Sequence, residues 1–150
     1  MRRVSGLLLA GALLLLPAFS QGDLSAAGQD AQKLSFNGDT ALWMVAIKPD
    51  KTGDFEQLMK RVGEALQKLG RSQQAAGWKV VKGPVQPDGN VLYVHVISPV
   101  VADADYTVMQ ILYEANEDPA ERTALYEQYR GAFAQNLLVS GYTTALRLGQ

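Results

Sequence analysis

The sequence predicts an α+β domain: a four-stranded antiparallel sheet with its helices on one face, built in the order β-α-β-β-α-β. Three observations carry this. Two strand-like runs, Gly77-Trp78-Lys79-Val80-Val81-Lys82 and Val91–Ile97, flank the turn-prone Pro87-Asp88-Gly89-Asn90 and read as a hairpin. Helical periodicities lie on both sides of that hairpin. One further strand-like run precedes the first helix and another follows the last.

The chain of 150 residues suits one domain, and 47% hydrophobic residues suffice for a core. Residues 1–20 are expected to stand apart from it as a signal peptide. Met1-Arg2-Arg3 is a basic start, Leu7 to Leu16 an apolar run, and Pro17-Ala18-Phe19-Ser20 supplies small residues before a cut after Ser20. The rival reading is an uncleaved anchor, but the run falls short of the roughly 20 residues a bilayer requires. The expected location is therefore periplasmic or secreted, without stable membrane insertion after cleavage. The absence of cysteine excludes disulfides and lipid attachment through a thiol. Cleavage lowers Lys+Arg from 14 to 12 against 15 Asp+Glu, or about −3, which gives nucleic acid no electrostatic footing.

Residues 21–39 read as a flexible linker of Gly, Ser, Ala, Gln and Asp, with Leu34 and Phe36 able to pack loosely on the domain edge. Residues 40–150 form the single domain. Ala41–Lys48 is a nearly continuous apolar run ended by Pro49-Asp50, as in a strand buried on both faces. Phe55, Leu58, Met59, Val62, Ala65, Leu66 and Leu69 then fall on one helical stripe, with Thr52 as the expected N-cap and Gly70 as the stop. A second helix is expected over Ala104–Ala115, capped by Asp103 or Asp105. Asp118-Pro119-Ala120-Glu121 reads as a capping box opening a third helix that runs to about Gln135, with Phe133 inward. Leu138–Leu146 reads as the last strand.

Side chains alternate along a strand. The aliphatic face of the second hairpin strand, Leu92, Val94 and Val96, is expected under the helices. The mixed face of Val91, Tyr93, His95 and Ile97 is expected to look away from them.

The order β-α-β-β-α-β with helices on one side resembles the ferredoxin-like fold. The short extra helix and apolar second face resemble the dimeric α/β-barrel superfamily, in which two sheets pack their free faces together. Trp43–Ile47, Gln73-Gln74-Ala75-Ala76-Gly77-Trp78-Lys79-Val80 and Asp103–Met109 resemble a family of uncharacterised exported bacterial proteins. The resemblance implies a homodimer and no one activity, since superfamily members bind haem, oxidise polyketides, isomerise small acids or sense ligands.

His95 is the only imidazole and, with Tyr93 two residues away, forms the candidate catalytic pair. Trp43 and Trp78 complete a candidate ligand-binding set with Tyr93 and His95, suited to a small apolar or aromatic molecule. The competing reading places His95 and Tyr93 in a dimer seam. Two functions remain open: a ligand-binding or protein-interaction module, and a cofactor-independent monooxygenase acting in a cleft of the sheet face. No cofactor is expected. Haem-degrading superfamily members use a helix-borne histidine, whereas His95 lies on a strand. No metal site is expected with one His and no Cys, and Glu114, Glu117, Asp118 and Glu121 read as caps and solvated charges. No Gly-x-Ser-x-Gly or phosphate-binding glycine loop occurs.

Overall fold

The stripe of Phe55, Leu58, Val62, Ala65 and Leu66 is the buried side of helix α1, Thr52–Lys68, in the computed structural model, which describes residues 33–148. The signal-peptide reading of 1–20 and the linker reading of 21–32 lie outside the described residues. Strand β1, Thr40–Ile47, leads through a 3-10 turn at Pro49–Lys51 directly into α1. The N-cap is therefore Lys51, and Thr52 lies inside the first turn rather than capping it. Asp54 complements the helix start and pairs with Lys51 at 3.0 Å. Gly70 follows the helix at φ +73°, where a side chain would be strained, and its N–H bonds the Gln67 carbonyl at 3.0 Å.

A short helix α2, Ser72–Gly77, hands the chain to β2, Trp78–Val85. Six residues are too few to show a helical period, so α2 was not predicted. Strand β3, Val91–Ile97, completes the hairpin. Helix α3, Val108–Ala115, starts four residues later than expected, and neither Asp103 nor Asp105 caps it. Asp105 instead ties two segments together: its Oδ1 accepts from the N–H of Thr107 at 2.8 Å and of Leu34 at 3.1 Å. Helix α4, Pro119–Ala132, opens as predicted, with Asp118 Oδ1 accepting from the Ala120 N–H at 2.9 Å. Glu121 does not close the box; it reaches Arg61 at 3.4 Å. An Asp118→Ala variant is expected to lose about 1 kcal/mol, read from urea unfolding.

Helix α4 passes without a loop into β4, Phe133–Tyr142, so the last strand starts and ends earlier than predicted. Phe133 belongs to the strand, yet it points inward as expected and packs on Tyr129 and Phe55 at 4.4 and 5.8 Å between ring centres. Among the described residues the sheet has the order β2-β3-β1-β4 with every pairing antiparallel.

The segment from Leu34 is not linker. Leu34 accepts from the Tyr106 N–H at 2.8 Å, and Phe36 packs against the buried Tyr106 ring at 5.4 Å. Gly141 permits this close crossing, since a Cβ there would sit 2.1 Å from the Asn37 carbonyl oxygen.

The main core joins Trp43, Val45, Ile47 and Tyr93 of the sheet to Phe55, Leu58, Ile111, Leu112 and Leu125 of the helices. It shows that the expected facing of β3 is inverted. Val91, Tyr93, His95 and Ile97 are buried on the helix side, while Leu92, Val94 and Val96 are half-buried on the opposite face. Rings fill the space beneath the helices, and the aliphatic set is left outside.

Candidate functional site

The pairing of β1 with β3 sets Trp43 opposite His95 and Val45 opposite Tyr93. The pairing of β2 with β3 sets Lys82 opposite Tyr93 and Trp78 opposite Ile97. All four candidate residues, Trp43, Trp78, Tyr93 and His95, thus meet on one face, but it is the helix-covered one. His95 is fully enclosed. The Trp43 ring stacks on it at 4.4 Å and 21°, Phe55 approaches edge-on at 5.9 Å, and Trp78 lies at 5.8 Å.

The hydrogen bonds fix the chemistry of this imidazole. Trp78 Nε1–H donates to His95 Nδ1 at 3.1 Å. An indole N–H can only donate, so Nδ1 is the acceptor and the ring is neutral with its proton on Nε2. Nε2 is buried without a hydrogen-bond partner. Burial pushes the His95 pKa down to about 4. A proton-handling role at neutral pH needs an imidazole that reaches substrate, and His95 is walled off by three rings. What it does in the fold is accept the Trp78 N–H and so fix that ring. Trp43 is held in turn by donating from Nε1 to Asn136 Oδ1 at 3.2 Å.

Tyr93 and Trp78 reach the edge of this cluster. Tyr93 Oη donates to Glu56 Oε1 at 2.5 Å, and Lys82 Nζ approaches the same oxygen at 3.1 Å. Lys82 Nζ also lies 5.6 Å from the centre of the Tyr93 ring. The Tyr93 hydrogen bond, then that of Lys82, lowers the Glu56 pKa, with Lys60 adding to the effect. Burial, then the Glu56 hydrogen bond, raises that of Tyr93. The phenol therefore stays protonated and the carboxylate ionised near neutrality. These groups form one end of a groove of about 460 Å³ between α1 and β2, floored by Phe55, Met59, Trp78 and Val80.

The sequence reading missed Glu56, Met59, Lys60 and Lys82. The hairpin register shifts between Lys82 and Val85, so counting back from the turn does not place Lys82 opposite Tyr93.

The other face of the sheet is different in kind. Leu42 and Met44 of β1, Leu92, Val94 and Val96 of β3, and Leu138 of β4 are half-buried there, and Val81 of β2 is 48% exposed. None of them belongs to either core cluster. Neither His95 nor Tyr93 is on this face, so a cleft there lacks the pair read as catalytic. Among the described residues, no group of three His, Cys, Asp or Glu side chains is placed to hold a metal ion, and no helix is long and apolar enough to cross a membrane. No protein family, curated protein or solved structure matches the chain.

Proposed function

We propose that this chain is an exported, non-enzymatic interaction module whose partner is a second copy of itself, docked sheet face to sheet face. The observation that carries the reading is the aliphatic free face. An antiparallel sheet open to water normally alternates apolar-in with polar-out. Strand β3 does not: its inward set is Val91, Tyr93, His95 and Ile97, and its outward set is Leu92, Val94 and Val96. A contiguous apolar surface of this kind marks an interaction site.

Its size suits a dimer. Four strands at about 4.8 Å spacing and eight residues at about 3.3 Å each give a face of roughly 19 by 26 Å. Two such faces remove roughly 1,000 Å² even before side-chain relief is counted, close to the lower end of about 1,200–2,000 Å² for stable interfaces. The strand order supports the same architecture. Taken from the other edge it is β4-β1-β3-β2, the split β-α-β sheet of ferredoxin-like folds, and a face-to-face pair of such sheets is a dimeric α/β barrel. Export to the periplasm or medium rests on the leader-like residues 1–20.

Sedimentation velocity on the purified protein at micromolar concentration tests this. The expected result is twice the monomer mass for the natural sequence and a folded monomer for Val94→Lys, which places a charge at the centre of the seam. A natural sequence that sediments as a monomer, or a Val94→Lys variant that stays dimeric, overturns the proposal.

A further inference from the structure

The groove between α1 and β2 lies on the helix side, so it stays open whether or not the free sheet faces pair. We propose that it binds a small amphipathic anion: a flat or short apolar body carrying one carboxylate.

Shape and rigidity support the apolar half. The groove, of about 460 Å³, falls within the roughly 300–1,000 Å³ of small-molecule sites. Its floor runs on into a smaller recess through the shared residues Met59, Trp78 and Val80. Gly63 lines that recess, and a Cβ built there would meet nothing within 4 Å, so the helix leaves the space open. The Trp78 indole is not a loose flap. Its N–H is committed to His95 Nδ1 at 3.1 Å, and His95 is itself stacked on Trp43. A ring held in this way offers a flat surface at little cost in side-chain entropy.

Charge supplies the other half. Glu56 already accepts from Tyr93 and Lys82 through one oxygen, so its charge is answered within the site. Lys60 lines the same groove and has no ion-pair partner among the described residues, which leaves the lining with one positive charge in excess. Lys82 has further N–H donors beyond the one given to Glu56. A carboxylate is matched by Lys60 and Lys82, and the attached apolar body by Trp78 and Met59 of the same lining. A cationic ligand would meet both lysines and is disfavoured.

Three probes of one shape test the assignment: naphthoate, the neutral naphthamide and the cationic naphthylmethylamine. Each is titrated against the full chain by nitrogen–proton correlation NMR. Naphthoate is expected to bind saturably and to move the Trp78 indole, Met59 and Val80 signals. Naphthamide is expected to bind about tenfold more weakly, the difference made by a charge-assisted contact, and the amine more weakly still. The double variant Lys60→Gln, Lys82→Gln changes only exposed side chains, leaves Glu56 as the charge of the groove, and is expected to reduce the preference for naphthoate over naphthamide to unity or below. Naphthamide binding as tightly as naphthoate, an unchanged preference in the double variant, or shifts confined to residues away from the groove each overturn the proposal.

Discussion

A Leu58→Asp variant is expected to lose the folded state altogether. Leu58 lies at the middle of the α1 stripe, is fully enclosed, and belongs to the core that joins the helices to Trp43, Val45 and Tyr93. Two costs combine. Removing the leucine side chain forfeits about 2–5 kcal/mol in transfer and cavity terms. A carboxyl group inserted there has no cationic or hydrogen-bonding partner within that core cluster of apolar and aromatic side chains, which adds several kcal/mol whether it is buried ionised or forced to protonate. Domains of this size are stable by about 5–15 kcal/mol, so the two together consume most or all of the margin. Leu58→Ala carries only the first cost and is expected to fold with a lowered urea midpoint. Circular dichroism and the dispersion of the amide NMR spectrum separate the outcomes. A folded Leu58→Asp variant with the natural urea midpoint would remove the stripe from the core.

The same stripe shows what the sequence made legible. Seven apolar residues at helical spacing leave little freedom in where α1 packs, and Gly70 has the backbone conformation that ends it. The α+β class and the four-stranded antiparallel sheet followed from the hairpin and the flanking runs. Errors fall where no period exists. Ser72–Gly77 is one and a half turns long and apolar on neither edge. Phe133 satisfies the helical stripe of α4 and the inward face of β4 equally, so burial alone does not fix the junction. Leu34 and Phe36 are held by Asp105, Thr107 and Tyr106, partners roughly seventy residues away that no local pattern reveals.

The candidate site was half legible. Alternation correctly grouped Tyr93 with His95, and Trp43 and Trp78 do join them. What alternation cannot give is which face is inside, because both are apolar enough to be buried. The aliphatic set looked like core, yet the rings form a linked system that the aliphatic residues could not replace: indole to imidazole, imidazole to indole, and phenol to carboxylate. The indole–imidazole pair gains from enclosure by the helices, where its hydrogen bond is shielded from water. The outward set, Leu92, Val94 and Val96, makes no such links and is left half-buried on the opposite face. Inverting β3 therefore moves both proposals: self-association is proposed for Leu92, Val94 and Val96, and ligand binding for the groove beside Tyr93 and Trp78.

Acidification should then destabilise the protein by about 3 kcal/mol between pH 6.5 and about 4, with His95 as the cause. The folded pKa is lowered from 6.5 to about 4 by burial. Over that interval the unfolded chain takes up a proton that the folded chain refuses, so stability rises with pH and is lost as pH falls. About a unit above pH 6.5 both states hold a neutral ring and His95 adds no further pH dependence. The geometry explains the refusal. A proton on Nδ1 would face the Trp78 N–H, donor against donor, while Nε2–H already lacks an acceptor. The rings packed against it, Trp43, Phe55 and Trp78, bring no charge to offset the new one. The carboxylates with lowered pKa values, Asp39, Glu56 and Asp88, start from 3.8 to 4.5 and act below most of this window. Urea midpoints from about pH 7 down to about pH 4.5, compared with those of His95→Asn, isolate the histidine. Asn keeps an oxygen acceptor for the Trp78 N–H but cannot titrate. Its stability is expected to be lower than that of the natural sequence at neutral pH and flat down to about pH 5, below which the carboxylates begin to act. A natural sequence equally flat, or an Asn variant with the same slope, would mean that His95 is solvated in the fold and that Trp78 is not held by it.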